Sequence, residues 1–142
     1  MKRRAAELRG KRCLVTGGGT GIGRGIARCL AERGAKVAVL GRRRSPLNAA
    51  VAELEQLGAE AMAVTADVTD RAATTRAVNR VAKAFGGLDV LVNNAGIGGP
   101  NACALDGPER WDEVVRTNLD GTFLATRAAL AHLPDGGRIV NV

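Results

Sequence analysis

Short apolar runs alternate with helical stripes from one end of the chain to the other. Five runs predict strands: RCLVT (12–16), KVAVL (36–40), AMAVTADV (61–68), LDVLVNNAG (88–96) and RIVNV (138–142). Between them, apolar residues recur at three- and four-residue spacing, which predicts helices at 22–34, 45–58, 70–85 and 108–132. In the first helix Ile22, Ile26, Cys29 and Leu30 form the expected inner stripe. In the second, Ser45 suits the N-cap, Pro46 the first helical position and Gly58 the stop, with Leu47, Val51, Leu54 and Leu57 inward. Ala77, Val81 and Phe85 mark the third, and Trp111, Val115, Leu119 and Leu130 the fourth.

The strand runs are nearly continuous in apolar character and do not alternate. Strands buried on both faces read that way, as in a parallel sheet covered by helices. Right-handed crossovers then give an α/β fold, a Rossmann-type doubly wound parallel sheet of five strands. No linker or internal repeat breaks the 142 residues, so 1–142 is expected to be one domain. The last strand is expected to be buried with no helix after it, leaving an apolar sheet edge.

The glycine cluster TGGGTGIG (16–23) lies between the first strand and the first helix. Its spacing is T-G-x-x-x-G-x-G, not G-x-G-x-x-G. The physics is shared: glycine permits a tight turn and close approach of backbone to a pyrophosphate, and the helix N-terminus offers free N–H groups to that anion. An NAD site carries an acid at the end of the second strand for the ribose 2′-hydroxyl. Here Gly41 stands there, followed by Arg42, Arg43 and Arg44. Guanidiniums bind a phosphate and no carboxylate repels it, so NADP(H) is expected over NAD(H), with at most two of the arginines touching it.

Composition narrows the classes. The chain is 46% apolar and 25% charged, and no apolar run reaches the roughly 18 residues of a membrane span. The basic N-terminus has no apolar segment behind it, so a secretory signal is not expected and the chain is read as cytoplasmic. Cys13, Cys29 and Cys103 are widely spaced and are read as small buried hydrophobes, with neither a metal site nor a disulfide framework. The net charge is +7, and residues 1–44 hold 13 of the 21 Lys and Arg against Glu7 and Glu32 alone. Nucleic-acid binding through that basic part is one alternative, opposed by the chain's two Phe, one Trp and no Tyr. His132 is read as a helix-end or surface histidine.

These motifs together resemble the short-chain dehydrogenases/reductases, and most closely their 3-oxoacyl-carrier-protein reductase-like branch. TGGGTGIG resembles the family's cofactor fingerprint, which implies contacts from Thr16, Gly17, Thr20, Gly21, Ile22 and Gly23, beside the Arg42 and Arg43 already read from the residues. ADV (66–68) resembles its adenine-ring contact, through Asp67 and Val68. NNAG (93–96) resembles the turn beside the cofactor, with Asn94, Ala95 and Gly96. TNLDGTF (117–123) resembles the segment with the family's catalytic asparagine, here Asn118, which implies a role in ordering a proton-relay water. GRIVNV resembles its fifth strand.

The resemblance implies an NADP(H)-dependent oxidoreductase that interconverts a ketone and a secondary alcohol, acting on a small molecule and assembled as a dimer or tetramer. It also implies a serine just after the fifth strand and a Tyr-x-x-x-Lys pair. The chain has no tyrosine, its one serine is Ser45, and its last lysine is Lys83. It is therefore expected to be the cofactor-binding part of a longer protein and inactive alone. A non-catalytic nucleotide-binding module is the remaining alternative.

Overall fold

The computed structural model describes residues 7–98 and 107–142. In chain order these form β1 (Arg12–Thr16), α1 (Gly21–Glu32), β2 (Lys36–Gly41), α2 (Arg44–Gln56), β3 (Ala61–Thr65), α3 (Arg71–Phe85) and β4 (Val90–Asn93). Then come α4 (Pro108–Val115), a π-helical turn (Arg116–Asp120), α5 (Gly121–Leu130) and β5 (Arg138–Asn141). The strands build one parallel sheet in the order β3-β2-β1-β4-β5. The chain winds outward from β1 to β3, then crosses to the other side of β1. The reversal lies between β1 and β4, and it opens a crevice at their C-terminal ends.

Successive residues of each strand point to opposite faces, and both faces are covered. Leu14, Leu40 and Leu91 pack with Val78, Val81 and Phe85 of α3 and Ala125 and Ala129 of α5. Cys13, Val15, Val37, Val39 and Val92 pack with Ala27 and Ala31 of α1 and Leu47, Ala50 and Leu54 of α2. This double burial is why the central strands lack alternation. It also pushes the Cys13 thiol up to about 12, because a thiolate there would lose its water.

The helices depart from expectation in which faces they bury. α1 turns Gly23, Ala27 and Ala31 to the sheet, whereas Ile22 and Cys29 are exposed and Ile26 and Leu30 only half-buried. Small residues let this helix sit close to the strands, so the bulky stripe is displaced to its flank. Cys29 is therefore not the buried cysteine expected, and Cys103 lies outside the described residues. α2 starts at Arg44 with extended Arg43 as its N-cap residue, so Ser45 falls inside the helix and caps nothing. Leu57 of its stripe is exposed. Asp70, not singled out from the sequence, caps α3 by accepting from the Ala73 N–H at 2.9 Å.

The single helix expected over 108–132 is interrupted by the π turn. One extra residue in that turn rotates the face that follows. Leu119 and Leu130 consequently face solvent, and α5 buries Gly121, Ala125, Ala128 and Ala129 instead; Trp111 is exposed too, on α4, which buries none of its residues. A Cβ at Gly121 would lie 2.6 Å from Val68 Cγ2, so the close approach of α5 to the β3–α3 loop needs glycine. β5 is exposed along its whole length, not buried as expected, because it is the sheet's edge and no described helix covers it. No helix among the described residues is long and apolar enough to cross a membrane.

Two polar ties bind β1 to β4. At their N-terminal ends, Arg12 Nε and Nη2 donate to the Asp89 carboxylate at 2.8 and 3.0 Å, and the Arg12 backbone N–H donates to it at 2.9 Å. At their C-terminal ends, Thr16 Oγ1 accepts from the backbone N–H groups of Asn94 and Ala95, both at 3.0 Å. Asn94 Nδ2 returns a bond to the Thr16 carbonyl at 3.1 Å.

The Arg12 bonds hold the Asp89 carboxyl down at about 2, against an ordinary 3.8. A carboxyl depressed by folding adds stability above its unfolded value and loses it as pH falls through the folded value. Asp89 is expected to contribute about 2 kcal/mol to the stability lost between pH 4 and pH 2, and Asp89→Asn to reduce that loss by the same amount, as read by urea unfolding across pH. Thr16→Val would leave two half-buried N–H groups without their acceptor and is expected to cost about 1–3 kcal/mol in the same assay.

Candidate functional site

The crevice at the reversal point is an open cleft of about 710 Å³. One wall begins where β1 ends. Thr20 is the N-cap residue of α1, with extended backbone and no side-chain capping bond, and the first turn of α1 carries no acid. The opening N–H groups of this helix are thus left for an outside acceptor. Two glycines here do different work. A Cβ on Gly23 would strike the Gly17 carbonyl and Asn94 Nδ2, so it secures the packing of α1 on the strand ends. Gly21, at φ +52°, has nothing within 4 Å of its missing Cβ, so its backbone lies bare to solvent.

The second wall is cationic. β2 ends at Gly41, and exposed Arg42 and Arg43 follow on the cleft lining. α2 opens there with no side-chain cap and no acid in its first turn. Its Leu47 packs back toward Gly19 and Gly41, whose added Cβ atoms would lie 3.2 and 3.3 Å from Leu47 Cδ2. That contact fixes the start of α2, which the two arginines precede, against the glycine turn.

The third wall comes from the β3–α3 loop, where Ala66, Asp67 and Val68 line the cleft. Partial burial raises the Asp67 carboxyl. The Thr69 N–H and hydroxyl, bonding to Asp67 Oδ1 at 2.9 and 2.8 Å, and the positive charge of Arg42 outweigh it, so the net displacement is downward. Asp67 therefore stays ionised and held in place.

The fourth wall is the segment after β4, with Ala95, Gly96 and Ile97, joined by Thr117 from the π turn. Asn118 clamps it: its Oδ1 accepts from the Ile97 N–H at 2.8 Å and its Nδ2 donates to the Ile97 carbonyl at 2.9 Å. The Thr122 hydroxyl bonds the Asn118 carbonyl at 2.8 Å, closing a carbonyl within the irregular turn.

Of the residues singled out in the sequence, Gly17, Thr20, Arg42, Arg43, Asp67, Val68, Ala95 and Gly96 line the cleft together. Thr16 and Asn94 lie behind it as the strand tie. Gly21, Ile22 and Gly23 form the first turn of α1 and are not on the lining, and the Ile22 side chain faces solvent. Asn118 stands behind Ile97. His132 follows α5, with Nε2 2.7 Å from Asn79 Oδ1 on α3, at the helix end expected of it. Gly19, Leu40, Pro46, Leu47, Ile97 and Thr117 also line the cleft and were not foreseen. Gly19, Pro46 and Thr117 had a local signal, inside the glycine cluster, at the start of a helix and at the head of TNLDGTF.

These walls fit a dinucleotide phosphate. An uncapped helix start beside a bare glycine suits a pyrophosphate, and the exposed guanidiniums of Arg42 and Arg43 suit a further phosphate. Among the described residues no group of three His, Cys, Asp or Glu could hold a metal.

Comparison with known proteins agrees with this geometry. The short chain dehydrogenase family model matches residues 11–142. Versicolorin reductase 1 of Aspergillus parasiticus is 41% identical over 135 residues, covering 94% of this chain and 52% of the relative. A solved short chain dehydrogenase from Burkholderia cenocepacia J2315 in complex with NADP shares 47% identity at a TM-score of 0.83, over 94% of this chain and 55% of that one. A variant of actinorhodin polyketide ketoreductase solved with NADPH shares 40% identity at a TM-score of 0.83, over 92% and 52%. The chain thus spans about half the length of the relatives it matches. With a Rossmann-like sheet, the glycine turn at its reversal point and a match across 11–142, the chain belongs to the short-chain dehydrogenase family of oxidoreductases.

Proposed function

We propose that this chain supplies the NADP(H)-binding part of an oxidoreductase that interconverts a ketone and a secondary alcohol. One observation carries the reading: a single cleft is lined by the glycine turn at the uncapped start of α1 and by Arg42 and Arg43, where an NAD site would carry an acid. The α1 start and Gly17 to Gly23 hold the pyrophosphate, Arg42 and Arg43 the 2′-phosphate, and Asp67 and Val68 the adenine. Asn94, Ala95 and Gly96 flank the nicotinamide side. When bound, the nicotinamide supplies or accepts a hydride. The NADP and NADPH in the two solved relatives, and the ketoreductase among them, support this choice of cofactor and reaction.

Asn118 is assigned to ordering a proton-relay water. Its amide keeps one hydrogen and one lone pair beyond those committed to Ile97, and its Oδ1 lies 3.2 Å from where a Gly96 Cβ would be. Assembly of copies of the protein is supported by Trp111, Leu119, Phe123 and Leu130, all exposed on the α4–α5 side.

Arg42→Ala/Arg43→Ala is expected to weaken NADPH binding about 10–100-fold and NADH binding by no more than about threefold, measured by calorimetry. Equal losses for both cofactors would overturn the assignment of the arginines. Asn118→Ala is expected to raise exchange of the Ile97 amide about tenfold in hydrogen-exchange mass spectrometry, since one hydrogen bond of ordinary strength is lost there.

A further inference from the structure

A second, shallow cavity lies where α3 crosses the end of β3, about 400 Å³ with its wide mouth to solvent included. It is lined by Val64, Thr65, Ala73, Arg76, Ala77 and Arg80 and shares no residue with the cofactor cleft. Val64 and Ala77 are buried and Ala73 half-buried, so its floor is apolar. Exposed Arg76 and Arg80 supply its charged lining, and Thr65 closes it at the end of β3.

The two arginines stand one helical turn apart, a spacing at which like charges repel. A solvated helix face ordinarily offsets such charges with acids at three- or four-residue spacing. α3 has none: its sequence RAATTRAVNRVAKAF holds four cations and no acid. Among the described residues no carboxylate is within ion-pair distance of Arg76 or Arg80, although Arg12, Arg24, Arg28 and Arg110 all have one. Two unneutralised guanidinium forks over an apolar floor match a phosphoryl group attached to an apolar body.

We infer that the α3–β3 cavity binds a small organic phosphate, its phosphoryl oxygens between Arg76 and Arg80 and its apolar portion on Val64, Ala73 and Ala77. The site is distinct from the cofactor cleft and does not rest on the cofactor assignment. The β3 end separates the two: Val64 and Thr65 lie on the lining of this cavity, and Ala66 to Val68 on that of the other.

The test is an NMR titration of the whole chain with phenyl phosphate and with inorganic phosphate at fixed ionic strength, each with and without saturating NADPH. Saturable shifts are expected at the amides of Thr65, Ala73 and Ala77 in both conditions, with phenyl phosphate binding more tightly than inorganic phosphate. Arg76→Gln/Arg80→Gln is expected to weaken phenyl phosphate about tenfold or more, and Arg76→Lys/Arg80→Lys by less, with NADPH affinity unchanged in both. Shifts that fail to saturate, that survive Arg76→Gln/Arg80→Gln, or that NADPH abolishes by competition would each overturn the proposal. If NADPH fails to bind while phenyl phosphate saturates the site, the cofactor assignment falls and this one stands.

Discussion

Everything at the cleft depends on β1 and β4 ending together. The two strands are far apart in sequence, and the chain reverses its direction of winding between them. Thr16 joins their ends by accepting two backbone N–H groups from the segment after β4, while Asn94 bonds back to the Thr16 and Gly17 carbonyls. Those groups are partly or wholly removed from water, so leaving any of them unpaired would be costly. The tie therefore sets the position of the glycine turn, which leaves Thr16, relative to the Ala95–Ile97 segment, which leaves Asn94. Gly23 then seats α1 on the same junction, where no Cβ fits.

The remaining walls are positioned by packing against this junction. Leu47 brings the start of α2, with Arg42 and Arg43 before it, to the glycine turn. Gly121 lets α5 approach Val68, and the preceding π turn carries Thr117 to the lining and Asn118 to Ile97. The ionised state of Asp67 follows from the same economy of local bonds, since Thr69 and Arg42 overcome its partial burial. Contacts made behind the lining, such as Gly121 on Val68 and Thr69 on Asp67, thus help decide where it stands.

The same helices show where periodicity misleads. Spacing placed Ile22, Cys29, Trp111, Leu119 and Leu130 inward, and all five are exposed. In α1 and α5 the buried face consists of glycine and alanine, which a search for bulky apolar stripes passes over. In the α4–α5 region the π turn breaks the period itself, and nothing in RTNLD announces an extra residue per turn. The third helix had no such complication, and its Ala77, Val81 and Phe85 are buried as their spacing implies.

By itself the sequence determined the five parallel strands, the four helical stretches and the glycine turn, because these follow from strand burial and from local backbone chemistry. It also determined the arginines after the second strand, since a missing acid and adjacent guanidiniums are visible letter by letter. Only the tertiary structure decided that Leu47, Ile97 and Thr117 share a cleft with them, that Asn118 clamps Ile97, and that β5, an edge as expected, is exposed along its length. Those facts depend on contacts between segments distant in the chain, and on how closely small residues let helices approach the sheet. Neither leaves a periodic trace in the sequence.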